Sequence, residues 1–385
     1  MALSSPRPSR ILTGQMRLLL AATFFFFCSL YVFTPILPVY VIQLGGSRFE
    51  ASLVIATLTG CSLVLRPIVG AAIDRHGARP FLRVGASIFL AAALGYLPVG
   101  TVLLLIVLRA VQAIGLCSFS TAANTQAADL APPGRQGETI GWYGMAQTTA
   151  LAVAPAISAT ALPSVPIRHL FLLSALCALT AIGLVWTLPP PPKREGLGPE
   201  HLWPGRPTTL WTPRIVTASL AYLSCRLSYG AILAFLPITA YERGIEGFGL
   251  FFTVLAITSV GIRAGVGRIS DLVGRKTVSM PAMLAVTAAL VLLSGAGSLG
   301  ALLLAGALWG LGTGSAHTAL QSLVIETAPP SQRAATISIF TAASELGVGL
   351  GAVLLGAAGQ FFGLPAMFLI AAGIVLVGLL VHALG

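Results

Sequence analysis

Arg66-Pro-Ile-Val-Gly70-Ala-Ala-Ile-Asp74-Arg75-His-Gly77-Ala-Arg79 returns later in the chain as Arg263-Ala-Gly-Val-Gly267-Arg-Ile-Ser-Asp271-Leu-Val-Gly274-Arg275-Lys276. Arg66 and Arg263, Gly70 and Gly267, Asp74 and Asp271, Gly77 and Gly274 each stand 197 positions apart. Each copy closes a long apolar stretch, where a membrane helix would leave lipid. The register continues outward: Thr121 matches Thr318, Ala131-Pro132-Pro133 matches Ala328-Pro329-Pro330, and Thr139-Ile140 matches Thr336-Ile337. Asp129 answers Glu326 at the same offset. A chance pairing of two glycine-rich loops would not hold register this far. Two like-oriented halves in an apolar chain are the pattern of a carrier built by duplication.

Composition sets the solvent. Mean hydropathy is +0.92, hydrophobic residues make up 56% of the 385, and charged residues only 9%. A soluble domain carries about 25% charged residues, so lipid rather than water must cover this surface. A spanning helix needs ~20 apolar residues. Twelve runs meet that length, near 17–41, 51–73, 81–98, 101–126, 138–161, 167–188, 215–238, 247–270, 278–297, 300–325, 334–357 and 364–384. The segment Pro189 to Arg214 holds Pro189-Pro-Pro-Pro192, a Lys193-Arg194-Glu195 cluster and Gly/Pro punctuation, and reads as a linker. The expected fold is an all-α membrane protein. Twelve transmembrane helices make two pseudo-symmetric six-helix bundles, 1–188 and 215–385, joined by a cytoplasmic linker over 189–214.

Basic residues orient the chain. With a cytoplasmic N-terminus, inner loops and helix ends hold Arg7, Arg10, Arg17, Arg75, Arg79, Arg83, Arg135, Lys193, Arg194, Arg206, Arg214, Arg268, Arg275, Lys276 and Arg333, and outer loops only Arg48, Arg168 and Arg243. The positive-inside rule then places both termini and both motifs in the cytoplasm. It also accounts for the net charge of +11 without nucleic acid, since the charge faces an anionic leaflet. Met1 to Gln15 is polar and Pro/Ser/Arg-rich, unlike a removable signal peptide. Cys28, Cys61, Cys117, Cys177 and Cys225 lie in apolar runs without metal-ligand spacing and read as packing residues. No metal cluster, phosphate-cradling loop or nucleotide domain is evident, so the chain reads as a non-enzyme without cofactor, and uphill transport must draw on an ion gradient.

At the repeated motif the chain resembles the major facilitator superfamily over its whole length. The family motif between helices two and three runs Gly-x-x-x-Asp-(Arg/Lys)-x-Gly-(Arg/Lys)-(Arg/Lys). Gly70, Asp74, Arg75, Gly77 and Arg79 match it, with Ala78 in the first slot of the closing basic pair. The second copy supplies Gly267, Asp271, Gly274, Arg275 and Lys276, with Leu272 where a basic residue is usual. The resemblance implies a cytoplasmic gate that includes Arg66 and Arg263, with the Asp pairing across helix ends in one state. The alternative is a topological loop whose charges only anchor the helix ends. Arg109-Ala-Val-Gln112 resembles the family's Arg-x-x-Gln-Gly motif, linked in related exporters to proton coupling. Ala146, Ala150, Ala154 and Pro155 form a faint version of an antiporter motif, and close packing explains them equally well.

Symmetry sorts the remaining polar residues. Charges present in one half only should serve an asymmetric ligand. Arg109, Arg226, His317 and Glu345 lie within expected spans, and their partners at 197 positions are Gly306, Ser29, Ser120 and Thr148. An ionisable group in the bilayer interior costs at least ~2.5–3.5 kcal/mol, so each should face protein or a watery cavity. Arg226 and Glu345 lie at similar depths from one membrane face and are expected to pair at the midplane, as a proton-coupling device or as a structural pair. His317 either relays a proton or packs. Gly306, Gly310, Gly314, Gly347 and Gly351 read as helix-packing faces. The expected function is proton-coupled efflux of a small organic solute, with the lipid bilayer and protons as partners and a monomer as the unit. Midmembrane cations in excess point to an anionic or zwitterionic cargo. Two alternatives stand beside it: an uptake permease or symporter on the same fold, and a non-transporting sensor or scaffold. The resemblance implies the bacterial sugar-efflux and multidrug branch and a cell-membrane location.

Overall fold

The computed structural model describes residues 12–132, 136–162, 164–189, 212–328 and 333–384. The side chains of Pro67, Asp74, Gln136, Gly137, Glu138, Ile140 and Ala264, and of 333–335 and 337–339, lie outside that description. Within it the chain is helical: α1 (Gly14–Gln43), α2 (Arg48–His76), α3 (Ala78–Gly95), α4 (Val102–Asp129), α5 (Gln136–Ala161), α6 (Ile167–Thr187), α7 (Pro213–Glu242), α8 (Leu250–Val273), α9 (Arg275–Gly295), α10 (Leu299–Thr327), α11 (Arg333–Phe362) and α12 (Leu364–Leu384). Among the described residues ten of these are long and apolar enough to cross a membrane. Counting α8, which bends by 50° between Leu250–Arg263 and Gly265–Val273, makes eleven.

Most helices run past the apolar stretches that announce them, because caps lie outside the lipid-like sequence. α2 starts at Arg48, where Ser47 and Glu50 form a reciprocal capping box: Ser47 N–H donates to Glu50 Oε2 at 2.7 Å, and Glu50 N–H donates to Ser47 Oγ at 3.2 Å. α8 starts later than its apolar run, at Leu250, because Gly247 turns the chain at φ 68°. Thr101 caps α4 and Ser298 caps α10, again 197 positions apart.

The repeat is visible in the packing. α3 and α4 meet where Gly115 lies against α3: a Cβ there would sit 2.9 Å from Gly85 O and 3.0 Å from Phe89 N. In α9 and α10 the counterpart Gly312 lies 2.6 Å from Ala282 O and 3.0 Å from Val286 N on the same construction. The two pairs of helices thus cross at equivalent residues. α1 packs on α5 and α6, α2 on α4, and α3 on α4 and α6; in the second half α7 packs on α11 and α12, α8 on α10, and α9 on α10 and α12. Contacts between these groups run through α2–α11, α5–α8, α1–α7 and α2–α7.

Candidate functional site

A cavity of about 820 Å³ lies between the two groups of helices. Its floor and walls come from α1, α2, α4, α5, α7 and α11, and it reaches the last turn of α4 at Thr125 and Ala128. Arg66, Arg109, Arg226 and Glu345 all line it. Phe27, Tyr31, Tyr143 and Tyr229 give it aromatic walls, and Asn124 and Gln147 add amides.

Glu345 pairs with Arg66 across the two groups of helices, Nη2 to Oε1 at 2.8 Å. This replaces the expected Arg226 partner, and the helical wheel explains why. α7 does pack on α11, and a Cβ on Gly347 would lie 2.8 Å from Arg226 Cβ. Two residues turn a helix by about 200°, so Glu345 points away from α7 when Gly347 faces it. Gly349 and Gly356 share the face of Glu345, and their neighbours are Thr59 and Ser52 of α2. Arg66 continues that α2 face at a spacing of seven residues.

Arg226 instead lies over the Tyr229 ring, 4.6 Å from guanidinium carbon to centroid. Arg109 is 2% exposed and donates from Nη1 to Gln112 Oε1 at 3.0 Å, an oxygen that also accepts from Tyr96 Oη at 3.1 Å. The Nε atoms of Arg66, Arg109 and Arg226 are all buried without a hydrogen-bond partner. Three guanidinium groups thus share one lining with a single carboxylate among the described residues. His317 lies outside that lining, edge-on to Tyr222 at 5.1 Å and near Phe340 at 5.9 Å, in an aromatic cluster.

The residues expected at the gate separate. Arg66 belongs to the cavity. Asp74 lies outside the described side chains. Arg75 and Arg263 are exposed. Gly77 and Gly274 each cap one helix and open the next with φ 81°, ψ 162° and φ 99°, ψ 149°. That backbone region is essentially reserved for glycine. Gly70 and Gly267 serve no close approach: a Cβ at Gly70 meets nothing within 4 Å, and one at Gly267 only Thr318 at 4.0 Å. Asp271 pairs inside its own half, with Arg275 at 2.5 Å, and Arg275 also pairs with Glu326 of α10. Arg79 Nη2 donates to Leu188 O at 3.0 Å, and its counterpart Lys276 donates to Ala383 O at 3.5 Å. The last basic residue of each motif copy therefore caps the end of α6 or α12.

The opposite end of the molecule holds contacts that sequence reasoning missed. Arg48 pairs with Glu242 at 2.8 Å, and Thr253 Oγ1 donates to Ala152 O. Gly249 packs directly on Pro155 O and Ala159 of α5. These contacts, like Arg66–Glu345, cross between the two groups of helices. Ala150 and Ala154 are buried on a different face of α5, and Gly306, Gly310 and Gly314 pack on α8. No described group of three or more His, Cys, Asp or Glu residues is placed to hold a metal ion.

The family model of the Major Facilitator Superfamily matches residues 19–263 and 218–384. The chain belongs to that superfamily. It is 25% identical to an uncharacterised MFS-type transporter of Salmonella typhimurium over 93% of each chain. It is also 25% identical to an uncharacterised MFS-type transporter of Escherichia coli, over 90% of this chain and 86% of that one. Among solved structures it resembles a bacterial homolog of the human lysosomal transporter Spinster in its inward-facing, unoccupied conformation, with TM-score 0.83, 14% identity and coverage of 99% and 97%. A nucleoside transporter, NupG, aligns with TM-score 0.79 at 14% identity, covering 97% and 99%. This superfamily member is a multi-pass membrane transporter, not an enzyme.

Proposed function

We propose that the chain is a proton-coupled secondary transporter that exports a small organic anion from the cell by alternating access. The observation that carries this reading is the cavity between the halves, in which three arginines face one carboxylate. A volume of about 820 Å³ lies in the usual range for small-molecule sites. Arg109 and Arg226 lack a carboxylate partner among the described residues, and an anionic cargo supplies one. The aromatic walls hold its apolar body. Glu345 is the titratable acid beside the cargo. Protonating it releases Arg66, so cargo charge and proton occupancy are linked through one guanidinium.

Twelve spans form two six-helix bundles, 1–188 and 215–385, around a pseudo-twofold axis normal to the membrane, with a cytoplasmic linker over 189–214. Segregation of the packing pairs and the equivalent Gly115 and Gly312 crossings support this arrangement. Both termini are cytoplasmic, in the cell membrane, and the unit is a monomer. The contacts at the Arg48–Glu242 end, and a cavity that reaches the other, basic end, support an inward-facing state.

Inverted vesicles with an acid interior test the reading. Radiolabelled aryl and aliphatic carboxylates should accumulate inside and leave on collapse of the pH gradient. Accumulation only in right-side-out vesicles would replace export by uptake. No movement of any carboxylate, amine or neutral solute in either orientation would remove the transport reading.

A further inference from the structure

A second cavity, of about 440 Å³, lies on the outside of the bundle between α3 and α6. Arg79 and Arg83 line it from α3, with Val84, Ser87 and Ile88 along the same helix, and Trp186 closes it from α6. The Arg83 guanidinium carbon sits 4.3 Å from the Trp186 ring centroid. The Nε atoms of both arginines are buried with no hydrogen-bond partner, and no described carboxylate forms an ion pair with either.

The surroundings say what covers this groove. Leu172, Leu176 and Leu179 of α6 are about half exposed, and Trp186, 57% exposed, continues their face to the helix end. Val84 is 51% exposed on the adjoining face of α3. In a membrane protein such a face meets acyl chains, and a Trp at its end lies at headgroup depth. Two cations held at that depth beside an apolar wall match one kind of ligand, an acidic headgroup with chains attached. Arginine suits a phosphate diester because its planar donors bind two oxygens at once.

The duplication supplies an internal comparison. The positions of Arg83 and Trp186 correspond, at 197 residues, to Met280 and Ala383 in the second half. Only Arg79 has a basic counterpart, Lys276, and both of those cap a helix end. The fold therefore does not require Arg83 or Trp186. We propose that the α3–α6 groove binds an anionic phospholipid, with Arg79 and Arg83 on the phosphate and its chains along Val84, Ile88 and the leucine face of α6. The site is independent of the cargo cavity and of the direction of transport.

Native mass spectrometry of the delipidated full-length protein with dioleoyl-phosphatidylglycerol and dioleoyl-phosphatidylcholine tests this. Phosphatidylglycerol should be retained at about tenfold or greater preference, and the double variant Arg79→Gln/Arg83→Gln should lose that preference. Arg83→Lys should keep part of it, and Arg168→Gln, remote from the groove, all of it. Melting of each variant in phosphatidylcholine nanodiscs separates lost lipid binding from lost folding. Trp186→Leu serves if the double variant melts early, and should weaken phosphatidylglycerol at least severalfold. Unchanged preference in the folded variants overturns the proposal. So does equal binding of water-soluble glycerol phosphate, which would make this a soluble-anion site. A tenfold gain in phosphatidylglycerol binding by Glu195→Gln/Glu200→Gln would show that an acidic segment of the chain itself fills the groove, and would equally overturn it.

Discussion

Glu345 and Arg66 hold a bond between the two groups of helices, so under the proposed alternating access this pair would report on the state of the transporter. Its geometry is that of a charge-assisted contact made and broken as bundles rock. Removing the charge of Glu345 alone leaves Arg66 unpaired at the cavity wall. Glu345→Gln is therefore expected to abolish gradient-driven accumulation while solute exchange continues, because exchange needs no net proton release. Counterflow and pH-driven uptake measured on the same vesicles check both halves of that statement. If the pair is only structural, Arg66→Met combined with Glu345→Leu should restore expression and accumulation together. Sequence marked Glu345 as the acid to watch, because it is unduplicated and deep in an apolar run. Its partner was not legible. Depth along a helix can be counted from residues, but which neighbour a side chain faces depends on rotation. The wheel position of Gly347 turns Glu345 from Arg226 towards α2. Small residues at Ser52, Thr59, Gly349 and Gly356 were the available signal for the α2–α11 contact. Thr121, Asn124 and Thr125, three polar residues in five positions of α4, were the signal for that cavity wall.

Helix–helix junctions account for two of the four repeated motif glycines, Gly77 and Gly274. At Gly77 and Gly274 one helix ends and the next begins within a single residue, at φ values of 81° and 99°. No neighbour crowds Gly77, and the nearest atom to a Cβ on Gly274 is Thr277 Oγ1 at 3.6 Å. Alanine there is therefore penalised by backbone strain alone, of order 1–3 kcal/mol. Gly77→Ala and Gly274→Ala should each lower the melting temperature in detergent with similar size, as equivalent junctions. Gly70→Ala should be nearly silent, because its Cβ meets open space. A Gly70→Ala protein less stable than Gly77→Ala would contradict this division of roles. The α5–α8 contact calls for the opposite test. Gly249 abuts the α5 backbone at Pro155 and Ala159, so any side chain there pushes the helices apart on the Arg48–Glu242 side. Gly249→Leu should shift the population away from the present state, read as increased labelling of a cysteine placed at Thr253 from that side.

The molecule as a whole is two copies of one design that have diverged where chemistry requires it. The caps Thr101 and Ser298 and the crossings at Gly115 and Gly312 are kept, while Arg226 has become Ser29 in the other half, bonded to Ser174 Oγ at 2.9 Å. The motifs have diverged too. Arg275 joins Asp271 to Glu326, but its counterpart is Ala78, which cannot bridge. The tie inside the second half is complete without the first half, so Asp271 has less to offer a partner across the basic end. Asp74→Asn should therefore reduce transport severely, and Asp271→Asn mildly, with both proteins folded. The Arg48–Glu242 end can be tested by locking it. Arg48 and Glu242 come from different halves and meet at 2.8 Å, so a short bis-maleimide should bridge Arg48→Cys and Glu242→Cys after replacement of the native cysteines. If transport is alternating access, the bridged protein must stay shut on that side. It should bind cargo from the basic end and complete no exchange, while each single variant, treated identically, exchanges normally. Full exchange by the bridged protein would mean that this end does not open during transport, and the two-bundle rocking reading would have to be abandoned.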